Sequence, residues 1–206
     1  MIKSALRRLG AVASALALTG CISLFPNEPP ADLYRFGASP APGSAAQSSN
    51  QFAVLDAGIG FDREAASDRI LTVTGNEVAY IKGSRWAVAA PVLFHTAEQH
   101  AFDAANGPAR LVERSDTSQF DYVLRLDVRR FEARYEGGPQ TPPTVVVRVR
   151  ASLNKFHDHG LVGDRLFEAE APAADNRVGA ITAAFDQATA KVLGEITAWV
   201  NQAAAA

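Results

Sequence analysis

The chain holds one thiol and four imidazoles, and the residues around each decide what chemistry it could do. Cys21, the single cysteine, closes the tetrapeptide Leu18-Thr19-Gly20-Cys21. Ahead of it lie a basic segment with Lys3, Arg7 and Arg8 and an apolar run from Leu9 to Leu18. That is the layout of a secretory signal. At about ten residues the apolar run is far short of the ~20 that a spanning helix needs. A small residue before a cut and a thiol after it, Gly20 and Cys21, suit cleavage coupled to acylation of the sulfur. Acylation also removes an unpaired thiol that an oxidising compartment would make a liability.

The other candidates are weaker. His157-Asp158-His159 is a cluster of metal-ligand types, and two histidines two apart share a face on a strand. Gly160 follows them, however, and the segment reads as a solvated turn. Zinc sites generally need three or four ligands, and nothing else in the chain has matching spacing. His95 and His100, five apart, fall on different faces of a helix. No Ser-His-Asp arrangement, glycine-rich phosphate loop or paired-carboxylate signature stands out. The expectation is no catalytic residue, no metal and no cofactor, with any ATP-derived energy coming from a partner. Arg125, Arg129, Arg148 and Arg150 fall on the polar faces of strands. They read as a solvated face balanced by Asp121, Asp127 and Glu132, or as a docking surface for an acidic partner or lipid headgroups. Arg148 and Arg150, on one strand face, are the candidate partner surface. Trp86 reads as a core anchor or as a lipid or partner contact. Asp68 and Arg69 read as a local pair or as a cap at the start of a hairpin.

The elements that would position these residues follow from the pattern of apolar side chains. Leu33-Tyr34-Arg35-Phe36 is a short strand, and Ala38 to Asn50, rich in Ala, Ser, Pro and Gly, is a loop. Phe52 to Ile59 and Arg69 to Val73 are strands. Gly75-Asn76 makes a tight turn and Glu77 to Ile81 returns, so residues 69–81 form a hairpin. Ser84 is a candidate N-cap for a helix over about 85–105, with Trp86, Val88, Ala89, Val92, Leu93, Ala97, Ala101 and Ala104 near helical spacing. Pro91 either starts or kinks it. Phe120 to Val128 alternates strictly, and the phase shift at Arg129-Arg130 indicates a bulge before the strand ends at Tyr135. Thr144 to Phe156 and Leu161 to Ala171 complete an antiparallel meander with one solvated face. Asp175 or Asn176 caps a last helix over about 176–203, whose apolar stripe runs Val178, Ile181, Phe185, Ala188, Val192, Ile196, Trp199. The fold expected is α+β, a mainly antiparallel sheet with two long helices packed on one face.

Charge narrows the partners. Residues 1–20 contain three of the 20 basic residues and none of the 22 acidic ones, so cleavage leaves 17 against 22, a formal charge of −5. Nucleic acid would favour a basic stripe instead. About 185 residues remain after residue 20, enough for one domain with a real core. With no second cysteine, burial and hydrogen bonding alone must stabilise it. The organisation expected is a signal peptide at 1–20, a tether at 21–32 in which Pro26, Pro29 and Pro30 favour extended backbone, and one domain at 33–206.

Leu-Thr-Gly-Cys resembles the lipobox of bacterial lipoproteins, in which the chain is cut before a cysteine that carries diacylglycerol and usually an acylated amino terminus. Several acyl chains give stable anchoring. The lipobox, Leu33-Tyr34-Arg35-Phe36, Ser67-Asp68-Arg69-Ile70-Leu71, Gly75 to Tyr80 and Arg85-Trp86-Ala87 together resemble the ABC-type transport auxiliary lipoproteins. These include the PqiC-like partners of MCE-domain lipid transport systems. Two stretches depart from that pattern: Arg63-Glu64-Ala65-Ala66-Ser67, which lacks a proline and leucine, and Val88-Ala89-Ala90-Pro91. The resemblance implies a non-enzymatic docking or conduit subunit tethered through Cys21 to the outer membrane, since Ile22 replaces the aspartate of inner-membrane retention. It implies an MCE-domain protein as partner and, through it, a permease and an ATPase, with a homo-oligomer in prospect. Asp68, Arg69 and Trp86 would be signature residues of structural role. A metal-dependent periplasmic enzyme using His157 and His159, or a purely structural envelope lipoprotein, are the competing readings.

Overall fold

The strict alternation after Phe120 becomes the central strand. The computed structural model describes residues 30–37, 51–105, 107–115 and 119–204. Cys21, the signal segment and all but the last residues of the tether lie outside the described residues. The elements in chain order are β1 (Asp32–Tyr34), β2 (Phe52–Phe61), β3 (Arg69–Thr74), β4 (Glu77–Trp86), α1 (Ala90–Ala104), β5 (Ala109–Val112), β6 (Tyr122–Arg134), β7 (Thr144–Lys155), β8 (Leu161–Pro172) and α2 (Val178–Ala203).

All eight strands join one sheet, and it is mixed rather than mainly antiparallel. The meander β6–β7–β8 and the hairpin β3–β4 are antiparallel as expected. The other edge of β6 carries β2 and, further along, β3, both parallel to it. β5 is parallel to β2, and β1 to β4. The connection from β2 to β5 includes α1, and a parallel pair needs such a crossover. Two irregularities shape the centre. Between Val128 and Arg130 the β6–β7 register shifts, so the buried series Leu124, Leu126, Val128 resumes at Phe131 and Ala133. In β2 the register slips between Asp56 and Ile59, where Gly58 takes φ +95° and donates its N–H to Asp56 Oδ1 at 2.7 Å.

Both helices lie on the face that carries Phe131. That ring contacts Phe36, Phe61, Trp86, Phe94 and Phe185, with centroid separations from 4.7 to 6.2 Å. Tilted and edge-on rings of this kind add to the area they bury. The stripe expected on α2 is buried at Ile181, Phe185, Ala188, Val192 and Ile196. A second row, Thr182, Thr189, Leu193 and Thr197, is buried as well.

Four local expectations need correction. β4 runs on to Trp86, because Ser84, Arg85 and Trp86 pair with Asp32, Leu33 and Tyr34. Ser84 is therefore a buried strand residue, and α1 starts at Ala90 with its proline in the first turn. Its inward face follows as Phe94, Ala97, Glu98 and Phe102, while Val88 and Val92 are exposed. The last helix is preceded by Arg177, whose backbone N–H is received by Asp175 Oδ1 two residues back; among the described residues no side chain caps the helix itself. Asn176 instead pairs with Tyr135 and the carbonyl of Pro139. No described helix is long and apolar enough to cross a membrane.

Candidate functional site

The segment from Asp68 to Trp86 forms a braced corner. Asp68 Oδ2 meets Arg85 Nη1 at 3.0 Å, and the Asp68 carbonyl accepts the Trp86 N–H at 2.7 Å. Trp86 is 2 % exposed and stands edge-on to Phe36 and Phe185 at 5.1 and 5.2 Å. Its ring is committed to the core. Asp68 thus pairs with Arg85 and not with its neighbour Arg69, whose guanidinium lies 3.7 Å from the Tyr80 ring centroid. Both ion-pair partners are half-exposed, so the pair itself contributes about 0–1 kcal/mol.

On the sheet face opposite the helices, Arg148 and Arg150 already have partners. Arg148 sits across from Glu168 in the β7–β8 register and pairs with it. Arg150 Nε donates to both oxygens of Asp164 at 2.8 and 3.0 Å, and Ser152 Oγ donates to Asp164 Oδ2 at 2.9 Å. The hydrogen bond from Arg148 holds the Glu168 carboxyl below its ordinary range. Those from Arg150 and Ser152 do the same for Asp164. Arg129 pairs with Asp127 at 3.1 Å. The face is a charge-matched ladder with its cations partly exposed.

Between the two helices runs a groove of about 790 Å³. Ala97, Ala101 and Ala104 of α1 line one wall, and Ala190, Leu193 and Gly194 of α2 the other. Its size lies within the range of small-molecule sites. Gly37 closes one end. Its N–H donates to Asp186 Oδ1 at 2.7 Å, its carbonyl is 3.3 Å from His100 Nδ1, and its φ of +72° suits glycine. A Cβ there would come within 2.6 Å of Ala97 Cβ. At the other end Asn201 Oδ1 accepts the Ala109 N–H at 2.9 Å.

The histidines fall differently from the sequence reading. His157, Asp158 and His159 form an exposed turn in which Asp158 Oδ1 receives the Gly160 N–H, and His159 has φ +56°. The metal-ligand types that converge are elsewhere. His95 Nδ1 lies 3.0 Å from Asp56 Oδ2 and His95 Nε2 3.5 Å from Glu113 Oε1. Asp56, His95 and Glu98 each offer a ligand atom within 4.8 Å of the others. His95 and Glu98 are three apart, one helical turn, and that much was visible in the sequence. The approach of Asp56, 39 positions upstream, was not.

The fold is a mixed α+β domain, one eight-stranded sheet carrying two helices on one face. The chain belongs to the ABC-type transport auxiliary lipoprotein component family, whose model matches residues 34–197. It is similar to the crystal structure of protein XCC0632 from Xanthomonas campestris, at 27 % identity over 85 % of this chain and 97 % of that one, with a TM-score of 0.71. The hypothetical protein CT253 from Chlamydia trachomatis shares the fold at 10 % identity, over 76 % of this chain and 99 % of that one, with a TM-score of 0.54. No curated protein matches the sequence.

Proposed function

We propose that this protein is the non-enzymatic docking subunit of an MCE-type ABC lipid transport system, anchored at the periplasmic face of the outer membrane through acylated Cys21. The family match over residues 34–197 carries the reading. The signature corner supports it, because Asp68, Arg85 and Trp86 are engaged in pairing and packing that stiffen the domain. The groove between α1 and α2 supports the conduit half of the role. Its lining is largely apolar, from alanine, glycine and Leu193, with Thr189, Thr197 and Asp186 among its polar residues. An acyl chain of a transported lipid is the occupant this lining suits.

The test has two arms. Crosslinking in intact cells followed by purification should recover an MCE-domain protein, and deletion should alter envelope lipid handling. Intact mass of the mature protein should show a chain that begins at Cys21 with added acyl mass, and Cys21→Ser should release it from the membrane. Failure to recover an MCE partner, together with normal lipid handling in the deletion strain, would end the assignment.

A further inference from the structure

The inward stripe of α1 carries one residue that does not belong in an apolar core. Glu98 lies between Phe94 and Phe102 at steps of four, both buried, and is itself 0 % exposed. Neither of its carboxylate oxygens has a hydrogen-bond partner among the described residues. A buried carboxylate in that condition is strongly unfavourable as an ion. A proton removes its charge but leaves an unpaired O–H and an unpaired carbonyl, each still unfavourable to bury.

The surroundings deepen the problem and point to its solution. Asp56, 9 % exposed, brings a second carboxylate to the same place. The extra residue in β2 and the Gly58 N–H fix Asp56 Oδ1, leaving Oδ2 directed at His95. The imidazole supplies a nitrogen ligand on the same helix face as Glu98. Without a cation Asp56 pairs with His95 while Glu98 stands unpaired beside a second carboxylate; with one, the three groups within 4.8 Å form a ligand set.

We propose that Asp56, His95 and Glu98 bind a divalent transition-metal cation of the zinc class, which joins β2 to α1. Three protein ligands leave a coordination position for water. A hollow lined by Gln99, His100, Asp103, Leu111 and Glu113 borders the site at His95 alone. The imidazole favours zinc-like metals, whereas calcium and magnesium prefer all-oxygen shells. Glu113, 3.5 Å from His95 Nε2 and bonded to Gln99 at 2.6 Å, orients the ring. The site rests on this geometry alone and is independent of the transport reading.

The experiment uses the full lipidated protein in detergent, stripped with a chelator and titrated with Zn²⁺ by calorimetry and with Co²⁺ by absorption. One Zn²⁺ per chain should bind, Ca²⁺ should not compete, and Zn²⁺ should raise the thermal midpoint. Glu98→Gln and Asp56→Asn should each weaken binding by about 100-fold or more, beyond the ~10–100-fold that loss of a merely supporting partner costs. The double variant His157→Ala with His159→Ala should bind as the parent does. Circular dichroism checks that each variant is folded, and His95→Gln replaces any that is not. Absence of saturable Zn²⁺ and Co²⁺ binding would overturn the proposal. So would binding that survives Glu98→Gln, binding that disappears with His157 and His159, or Ca²⁺ binding as tight as Zn²⁺.

Discussion

Asp56 Oδ2 of β2 lies 3.0 Å from His95 Nδ1 of α1, and both side chains border the buried carboxylate of Glu98. Burial, and after it the charge of Asp56, push the Glu98 carboxyl well above the usual carboxylate range. The sign of its linkage follows. A group whose pKa is higher in the folded state binds more protons there, so its contribution is fully present below the unfolded value near 4.5 and is lost as pH rises through the folded value.

In metal-free protein, the stability difference between the parent and Glu98→Gln should therefore change with pH. The parent should lose ground to the variant from about pH 4.5 upward. Urea unfolding at a series of pH values measures it. Asp56, His95 and Glu113 face the site in both proteins, so the comparison isolates Glu98. A pH-independent difference would show that Glu98 titrates normally.

Phe185→Ala should cost about 3–5 kcal/mol. The ring is 0 % exposed and lies 5.2 Å from Trp86 and 4.7 Å from Phe131. It is the point at which α2 is fixed to the corner at Trp86 and to the central strand together. Denaturant unfolding should show the loss, and a value below about 1 kcal/mol would mean that the neighbours close the cavity.

Much of this architecture could be read from the chain, and the exceptions share a cause. The hairpin at Gly75-Asn76, the bulge at Arg129-Arg130 and the stripe of α2 are local patterns, and the structure has them. β5 is only Ala109–Val112, too short to display alternation. The parallel placement of β2 and β3 beside β6 depends on crossovers that no local pattern encodes. Glu98 does not stand out in the sequence, because a glutamate at helical spacing reads as solvent-facing. Its steps of four from Phe94 and Phe102 lie on the buried face of α1.

Arg148 and Arg150 test the partner surface. Arg148→Glu with Arg150→Glu sets like charges against Glu168 and Asp164, at a surface where such pairs contribute little to stability. The fold should survive while crosslinking to the MCE-domain partner proposed above falls. Adding Glu168→Arg and Asp164→Arg restores pairing with the charges exchanged. If the partner reads the arginines by position, that fourfold variant should still crosslink poorly. Undiminished crosslinking in the double variant would remove both arginines from the interface.

Gly194 allows the groove to be blocked without disturbing the core. It lies within α2, lines the groove, and a Cβ at this position would meet nothing within 4 Å. Glycine inside a helix costs about 0.5–1 kcal/mol relative to alanine, so Gly194→Ala should raise stability by a similar amount. Gly194→Phe should also fold, placing its ring across the space between Ala101 and Ala190. If the groove receives an acyl chain, Gly194→Ala should complement the deletion strain and Gly194→Phe should not, with both proteins equally abundant at the membrane. Full complementation by Gly194→Phe would leave the docking role standing and withdraw the groove from the lipid path.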